Sequence, residues 1–364
     1  MPHYNLALLG FGNVGKALAE LLIRKQNDIQ SQFGITYSVT GIATGRHGIA
    51  IDPDGINLVQ ALDLVETGKS LSAIHKGHGV PGHGVPGHEI LKGHAISNLQ
   101  SPVSNSYQFI RNCRADILFE ATPVNYETGQ PAVDYIRTAL GLGMHVATAN
   151  KGPVVHACRE LTELAESQGC KFYFEAAVMD GVPIFSLFRE TLPAANLRGF
   201  RGVLNSTTNL VLTRMESGET FDAAVAYAQS IGIAETDPSG DVDGWDAAVK
   251  VSALVTVLMG VALKPQEVAR TGIRGITPED IARARSEGKR WKLVCEAQRD
   301  GNRVRAMVSP RMVGVGSPLY GVAGTTAIVQ FESDVLGRLT IIEENPGTHT
   351  TAYGLLADFL NAVQ

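Results

Sequence analysis

Three closely spaced glycines near the start of the chain separate an apolar strand from a helix. Residues 6–9 are apolar, and the apolar residues at 14, 18, 21 and 22 then recur at helical spacing. The first glycine permits the tight turn, the second lets the backbone approach a pyrophosphate, and the third lets helix and strand pack closely. Bare N–H groups at the helix N-terminus would face the phosphates. We therefore predict dinucleotide binding, rather than a structural glycine turn, with cofactor contacts from Gly10, Gly12, Asn13, Val14 and Gly15.

The end of the second strand, residues 36–43, bears on which dinucleotide is bound. An acid at this point would bind the ribose 2′-hydroxyl of NAD, but Thr44 and Arg46 stand there instead. A guanidinium beside a small hydroxyl suits a 2′-phosphate, so the sequence favours NADP over NAD. The alternative is that Arg46 is an ordinary solvated loop residue.

Two more buried strands end in small or polar residues. Residues 115–123 end at Thr122 and Pro123, and residues 143–151 pass through Asn150 near their end. A doubly wound sheet binds its ligand at the carboxyl ends of its strands, so these three residues join the predicted cofactor contacts.

Residues 235–250 crowd five carboxylates into twelve positions and then supply a lysine. Pro238 and the glycines at 240 and 244 should hold the first acids in turns. From residue 245 the sequence is apolar enough for a buried helix, on which Asp246 and Lys250 stand i, i+4 on one face. An ion pair at the N-terminal end of a buried helix indicates a functional site. Asp237 and Asp243 are expected to cap turns or face water.

A pentapeptide repeat at residues 77–88, with His75 and His94, contains five of the ten histidines. No acid or cysteine is spaced with them, so a Gly/Pro loop is favoured over a metal site. The net charge of −5 gives no indication of a nucleic-acid or membrane partner. Four scattered cysteines suit reduced thiols, and no apolar run approaches the roughly 18 residues of a membrane helix. A cytoplasmic protein with a small-molecule substrate is the expectation.

Together these motifs resemble the homoserine dehydrogenase family along nearly the whole chain. Beside the glycine fingerprint, the resemblance is carried by Ala149-Asn150-Lys151, by the Asn-Ser-Thr-Thr-Asn run at 205–209, by the acidic segment and by residues 344–358. It implies reversible hydride transfer between NAD(P)H and L-aspartate 4-semialdehyde, giving L-homoserine on the route to threonine, methionine and isoleucine.

The reaction chemistry and the resemblance together suggest roles for charged residues. Reducing an aldehyde leaves an alkoxide, which needs a proton donor and a positive charge beside it. The resemblance puts Lys151 and Lys250 near the reacting carbon, and Asp246 would orient the second lysine or bridge the substrate hydroxyl through water. The sequence leaves open which lysine moves the proton.

The remaining site residues are predicted around a zwitterionic substrate. Glu235 and Asp241 suit the α-ammonium, while Thr207 and neighbouring backbone amides suit the carboxylate, with Ser206 beside them. Gly347, in the segment that resembles the family's return to the nucleotide-binding domain, is predicted as a further cofactor contact. Glu175 and Val178 fall where the family has a monovalent-cation site, for an ion such as Na⁺. The alternative for Glu175 is a carboxylate hydrogen-bonded to backbone in the interdomain hinge.

The resemblance is incomplete at three places. Ser206 stands where the family usually has glycine, Met179-Asp180 where it tends to have small residues, and residues 345–349 replace a more glycine-rich turn. The alternatives are therefore a related dehydrogenase acting on a different small amino or hydroxy alcohol or aldehyde, and a non-catalytic NADP-binding sensor.

The predicted fold class is α/β, with a Rossmann-type dinucleotide-binding domain and an α+β substrate and dimerisation domain that contains an open sheet. The first domain would span residues 1–178 and be completed by 344–364, and the second would span 179–343. Residues 196–205 and 303–309 alternate apolar and polar side chains, which is typical of a sheet covered on one face. A homodimer is the default oligomer for such a sheet.

Overall fold

Two six-stranded sheets form the framework of the part of the chain that the computed structural model describes, residues 1–76 and 102–364. The histidine repeat at 77–88 and His94 lie outside the described residues, so the interpretation of that segment is not tested. His75 is described, and its Nδ1 accepts a hydrogen bond from the backbone of Ile51 at 3.0 Å.

The first sheet has the strand order β3-β2-β1-β4-β5-β6, in which β3 pairs antiparallel and the other pairs are parallel. Its strands are β1 (His3–Leu9), β2 (Thr36–Thr44), β3 (Gly48–Ile51), β4 (Ile117–Glu120), β5 (His145–Thr148) and β6 (Phe172–Tyr173). The helices between them are α1 (Asn13–Phe33), α2 (Leu58–Glu66), α3 (Pro102–Asn112), α4 (Ala132–Gly141) and α5 (Lys151–Ser167).

Helices cover both faces of this sheet, which explains why its strands are apolar on both sides. Leu6 and Leu8 point into a core shared with α1 and α2, while Ala7 and Leu9 point into a core shared with α4 and α5. The C-terminal helix joins the first core, where the Phe359 ring meets three aromatic rings edge-on. This is the predicted Rossmann-type layer arrangement.

The second sheet has the order β12-β11-β7-β9-β10-β8 and is antiparallel except for the short β8 pair. Its strands are β7 (Leu197–Val203), β8 (Ala269–Arg270), β9 (Lys289–Asp300), β10 (Arg303–Gly314), β11 (Ala327–Ser333) and β12 (Gly337–Glu343). The accompanying helices are α6 (Ile184–Ser186), α7 (Ser206–Glu216), α8 (Phe221–Ser230), α9 (Ser239–Val242), α10 (Trp245–Leu258) and α11 (Pro278–Ser286). The C-terminal helix that packs on the first sheet is α12 (Thr348–Val363).

One face of the second sheet is covered and the other is open. Helices α7, α10 and α11 pack on β9, and α10 also packs on β10. The opposite face carries polar residues along neighbouring strands, such as Arg201, Glu296 and Gln330, and holds a groove of about 510 Å³. The open sheet is therefore confirmed in this α+β half of the chain.

The chain crosses between the two sheets twice, near residue 180 and again near residue 345. Met179, Asp180 and Asn345 all have positive φ angles, between 50° and 54°, which non-glycine residues rarely adopt. The Asp180 carboxylate accepts hydrogen bonds from the Gly347 amide (2.8 Å) and from the hydroxyls of Thr350 and Thr351. The charge that the sequence adds to the hinge therefore caps α12.

Several elements differ in detail from their predicted form. Strand β6 is paired only over Phe172–Tyr173, and Glu175 begins a 3₁₀ turn because the chain bends there toward the second sheet. The acidic run is not turns alone, since Ser239–Val242 forms one short helix. The buried helix from residue 245 is confirmed. No helix in the described ranges is long and apolar enough to cross a membrane.

Candidate active site

The glycine turn after β1 has the geometry that a pyrophosphate needs. Gly10 has a φ of +101°, and its amide donates to the carbonyl of Ala43 at 2.9 Å. A methyl group on Gly10 would collide with the carbonyl of Ala121, and one on Gly15 would collide with the carbonyl of Gly10. The space beside Gly12 is open to 4 Å. The first and third glycines are thus required by packing, and the second leaves room for a ligand.

The helix that follows presents an uncapped N-terminus. α1 begins at Asn13 and runs for 21 residues, its N-cap Gly12 has no side chain to satisfy the first amides, and no acid lies in the first turn. The free N–H groups and the helix dipole favour an anion. The residues from Gly10 to Gly15, including Asn13 and Val14, therefore fit the diphosphate of a dinucleotide.

Arg46 and Thr44 lie at the β2–β3 turn. The Thr44 hydroxyl accepts a hydrogen bond from the Arg46 amide at 3.3 Å. The Arg46 side chain is exposed, and among the described residues it forms no ion pair with a carboxylate. Strand β2 ends at Thr44, and the residues that follow it, Gly45, Arg46 and His47, include no acid.

Glu120, at the end of β4, is fully buried beneath the predicted cofactor contacts. Its carboxylate accepts hydrogen bonds from the amide and hydroxyl of Thr122, from the Thr148 hydroxyl (2.6 Å) and from the Asn150 amide nitrogen (3.5 Å). Burial raises its pKa, although these hydrogen bonds favour the charged form. Glu120 fixes the turns that carry Thr122, Pro123 and Asn150.

Sequence analysis missed Glu120, and the signal was an acid inside an otherwise apolar strand. Asn150 is also almost fully buried, and its side chain caps α5 by accepting from the Gly152 amide at 2.9 Å. Its Nδ2 donates to the carbonyl of Thr122 at 3.2 Å. Asn150 therefore ties two strand ends together and sets where α5, and with it Lys151, begins.

Two lysines from different halves of the chain meet at one carboxylate. Lys151, the first residue of α5, places its Nζ 3.3 Å from Asp246 Oδ1. Lys250 places its Nζ 2.9 Å from Asp246 Oδ2 and donates to the carbonyl of Leu204 at 2.7 Å. The three predicted catalytic residues therefore come together in one largely buried cluster.

The charges in this cluster hold one another ionised. Burial opposes ionisation of Asp246, but the charges of Lys250 and Lys151 outweigh it and hold its pKa well below the usual range. Burial likewise opposes the charged form of Lys250, and the Asp246 carboxylate outweighs it and holds the pKa of Lys250 above its usual range. Lys151 has the looser contact, and Lys250 is anchored twice.

Asn205 links this cluster to the acidic loop. Its Nδ2 donates to Asp241 Oδ1 at 2.6 Å and to Asp246 Oδ2 at 3.0 Å, and its Oδ1 caps α7 by accepting from the Thr208 amide. Burial, and then the charge of Asp246, raise the pKa of Asp241. Asn205 was quoted in the sequence motif but not predicted as a site residue, and its position before a helix start was the signal.

The other predicted substrate residues make no contact with the lysine cluster in the hydrogen bonds described for them. The Glu235 side chain is exposed, and the backbone carbonyl of this residue accepts a hydrogen bond from Gln229 at 3.1 Å. Ser206 is half-buried at the start of α7. The Thr207 hydroxyl donates to the carbonyl of Ile233 at 3.2 Å, so this proton is not available to a carboxylate. The first-turn amides of α7 at 206 and 207 have no helical acceptor.

Asp237 and Asp243 behave as the sequence predicts. Asp237 accepts from the Ser239 amide at 3.0 Å, which lowers its pKa, and Asp243 pairs with Arg274 at 2.6 Å near the surface.

The Glu175 carboxylate is occupied by backbone groups. It accepts from the amides of Phe185 (2.6 Å) and Ser186 (2.7 Å), and the Glu175 amide donates to Asp358. Val178 is fully buried beside it. The geometry matches the hinge alternative, and the described residues contain no group of three His, Cys, Asp or Glu side chains that could hold a metal ion.

Gly347 lies at the N-cap of α12, where its amide donates a hydrogen bond to the Asp180 carboxylate.

Tyr126, which sequence analysis missed, lies in the loop after β4, and its backbone carbonyl accepts a hydrogen bond from His156. Burial, and then the charges of Asp246, Asp241 and Glu235, raise the pKa of Tyr126. The nucleotide-binding half therefore approaches the acidic cluster with a phenol as well as with Lys151.

A family profile described as homoserine dehydrogenase matches residues 183–360. A protein of Pseudomonas canavaninivorans named NAD(+)-dependent homoserine dehydrogenase is 35% identical over 366 aligned positions, which cover 100% of this chain and 97% of that protein. A homoserine dehydrogenase of Methanocaldococcus jannaschii is 34% identical, with 98% of each chain covered.

Solved structures agree. A putative homoserine dehydrogenase from Archaeoglobus fulgidus superimposes with a TM-score of 0.80 at 31% identity, covering 98% of both chains. A hyperthermophilic archaeal homoserine dehydrogenase in complex with NADPH superimposes with a TM-score of 0.77 at 28% identity, covering 99% of this chain and 98% of that one.

Proposed function

The chain belongs to the homoserine dehydrogenase family, and from this premise we propose that the cluster of Lys151, Asp246 and Lys250 is its reaction centre. The reaction is the reversible, nicotinamide-dependent interconversion of L-homoserine and L-aspartate 4-semialdehyde. The observation that carries the assignment of the centre is that one lysine from each half of the molecule meets the same buried carboxylate. Such a cluster concentrates positive charge where an alkoxide forms.

The two lysines have different proposed roles. The nicotinamide ring, when bound, supplies or accepts the hydride at the substrate carbon. Lys250 is held by Asp246 and by the carbonyl of Leu204, so its role is to stabilise the developing oxyanion. Lys151 has one ion pair at 3.3 Å and is the better candidate to move the proton to and from the substrate oxygen.

The zwitterionic end of the substrate needs groups of both signs. The free amides of Ser206 and Thr207, at the N-terminus of α7, suit the carboxylate. The acids Glu235 and Asp241 suit the ammonium, with Asp241 oriented by Asn205. The hydroxyl of Thr207 is committed to Ile233, so its backbone is the part of Thr207 that we assign to the substrate.

The cofactor is a nicotinamide dinucleotide, and we propose NADP as the preferred form. The support is the exposed Arg46 guanidinium beside Thr44, without a carboxylate at the end of β2. Contacts to the diphosphate would come from the glycine turn, and contacts to the rest of the cofactor from Thr122, Pro123, Asn150 and Gly347. NAD remains the competing cofactor in the assay below. A Na⁺ ion at Glu175 and Val178 has no support from the contacts of the Glu175 carboxylate.

The open face of the second sheet is proposed to pair with a second copy of the chain. Arg201 and Glu296 lie opposite each other on neighbouring strands of this face, and Arg305 lies opposite Gln298. Basic and acidic side chains alternating on one face are complementary to the same face of a symmetric partner. Sedimentation measurements test this homodimer.

The four free thiols support a cytoplasmic location.

The domain boundaries belong to the same proposal. Residues 1–178, completed by 344–364, would form the nucleotide-binding domain, and 179–343 the substrate-binding and dimerisation domain.

A coupled assay tests substrate and cofactor at once. Reduced nicotinamide is followed by absorbance with L-homoserine and either NADP or NAD, and with a panel of three- and four-carbon amino and hydroxy alcohols as matched controls. Turnover with homoserine above all other alcohols is expected, with a higher kcat/KM for NADP. Turnover of another alcohol alone would contradict the substrate, and cofactor binding without turnover of any alcohol would contradict catalysis.

A further inference from the structure

Glu343, the last residue of β12, is a buried carboxylate with no role in the reaction centre described above. It is 7% exposed, and neither of its oxygens has a hydrogen-bond partner among the residues that the structure describes. Burying an acid without a partner is costly, and native structures seldom do so without a functional reason.

The register of the second sheet shows where this side chain points. Val203 of β7 pairs with Ile328 of β11, which pairs with Ile342 of β12. One residue further along the same edge, Glu343 pairs with Ala327, and Leu204 follows β7. Alternation along the strands turns Glu343 toward the covered face, where Ala327 and Leu204 are also buried.

This position brings Glu343 to the edge of the sheet where Lys250 is anchored. The Leu204 carbonyl accepts the hydrogen bond from Lys250, and β7 and β12 are separated by one strand, or about 10 Å between their backbones. A glutamate side chain on β12 can reach into the intervening space. Glu343 therefore faces the reaction centre from the hinge side.

In the part of the chain that the structure describes, no cationic side chain donates a hydrogen bond to Glu343. Burial, and then the nearby charge of Asp180, raise the pKa of Glu343 to about 8, against the opposing influence of the Lys250 charge and of the nearby Thr350 hydroxyl, whose own hydrogen bonds go to Asp180 and to the Gly347 carbonyl. The Lys250 ammonium is already shared by Asp246 and Leu204, and Asp180 is engaged by the start of α12. A positively charged ligand group would satisfy this carboxylate where the protein does not.

We propose that Glu343 binds the α-ammonium group of the amino-acid substrate. This rests on the proposed function, in which three carbons separate that ammonium from the oxygen that the lysines serve. An ammonium offers three N–H donors, so Glu343 would add an acceptor to those of Asp241 and Glu235. It would therefore be a specificity-determining residue for amino alcohols.

The test compares E343Q with E344Q, because Glu344 is the exposed neighbour in the chain. Steady-state kinetics with L-homoserine are measured for both variants, together with the KM of the cofactor. Competitive inhibition by 4-hydroxybutanoate, which is homoserine without its amino group, is the second readout. Loss of one charge-assisted hydrogen bond predicts that E343Q raises the homoserine KM by about 10- to 100-fold. The cofactor KM and the inhibition constant of 4-hydroxybutanoate should stay within about twofold, the scatter of a neutral change.

The outcomes separate the two levels of the proposal. If the wild type turns over homoserine normally and the homoserine KM of E343Q is unchanged, the assignment of Glu343 alone is overturned. The same holds if E343Q raises the cofactor KM or the inhibition constant of 4-hydroxybutanoate and leaves the homoserine KM unchanged. Wild-type enzyme without homoserine turnover would overturn the proposed function and this assignment with it. If E343Q does not fold, E343D, which keeps the charge on a shorter side chain, must still raise the homoserine KM selectively, and an unaltered KM would refute the proposal.

Discussion

Replacing Asp246 with asparagine should damage catalysis and stability together, because this carboxylate forms ion pairs with two lysines. Its oxygens lie 3.3 Å from Lys151 and 2.9 Å from Lys250. At an effective dielectric constant of about 20, such pairs attract by roughly 5 and 6 kcal/mol before the cost of burial is subtracted. Removing one partner of a buried pair typically costs about 3–5 kcal/mol of the free energy of unfolding.

Two assays measure these effects. We expect the melting temperature of D246N to fall by on the order of 10 °C, and its kcat for homoserine to fall by about 10²-fold or more. The fall in kcat follows because burial would lower the pKa of Lys250 once its counter-ion is lost, while Lys151 would lose its ion pair with Asp246. The KM of the cofactor should change little, since the glycine turn contacts none of these residues.

D243N is the matched control. Asp243 is in the same segment, but its side chain is 36% exposed and pairs with Arg274 at the surface, so its loss should cost less than about 1 kcal/mol. If D246N retains a kcat within threefold of the wild type and melts like D243N, the electrostatic explanation of the cluster is wrong.

Substitutions at the two lysines, in the glycine turn and at Arg46 test other parts of the site. K151A and K250A should each lower kcat by about 10²-fold or more with cofactor affinity nearly intact, and K151A should also change the pH profile of kcat; an unchanged kcat in both would contradict the assignment. G15A should abolish cofactor binding, measured by fluorescence of the reduced nicotinamide, because the added methyl collides with the carbonyl of Gly10, whereas G12A meets no protein atom and should keep the fold, measured by its melting temperature. R46A should raise the KM for NADP by about 10-fold or more, as expected for a lost charge-assisted hydrogen bond, and leave that for NAD unchanged; equal effects on both cofactors would mean that Arg46 is a solvated loop residue.

The local parts of the fold were predictable because they rest on short-range rules. Apolar periodicity and three glycines were enough to predict β1, the turn and α1, and the i, i+4 spacing of Asp246 and Lys250 predicted their contact. The meeting of Lys151 with the same carboxylate is a different matter. It depends on how α5 and α10, two helices far apart in the sequence, pack against each other. No spacing rule predicts this contact, and only the family resemblance pointed to it.

Residues whose role depends on tertiary burial were missed or misread. Glu120 looks like an ordinary strand acid until four donors surround it. Glu175 resembled a cation ligand, but the bend after β6 brings two backbone amides to its carboxylate. Glu343 gave no sequence signal, because its isolation results from the register of β12 and the return of the chain.

The two crossings of the chain between the sheets have a mechanical consequence. Asp180 on the outgoing segment is hydrogen-bonded to Gly347, Thr350 and Thr351 on the returning one, and Gly181 and Gly354 lack the side chains that would hold the segments apart. We therefore expect the two segments to move as one unit. Two joined segments allow one half of the chain to rotate relative to the other about a single hinge axis, and they resist twisting or sliding of the two halves. Any movement of one half of the chain relative to the other about these crossings should then return Lys151 to the same contact with Asp246, so that the reactive geometry is reproduced from one turnover to the next.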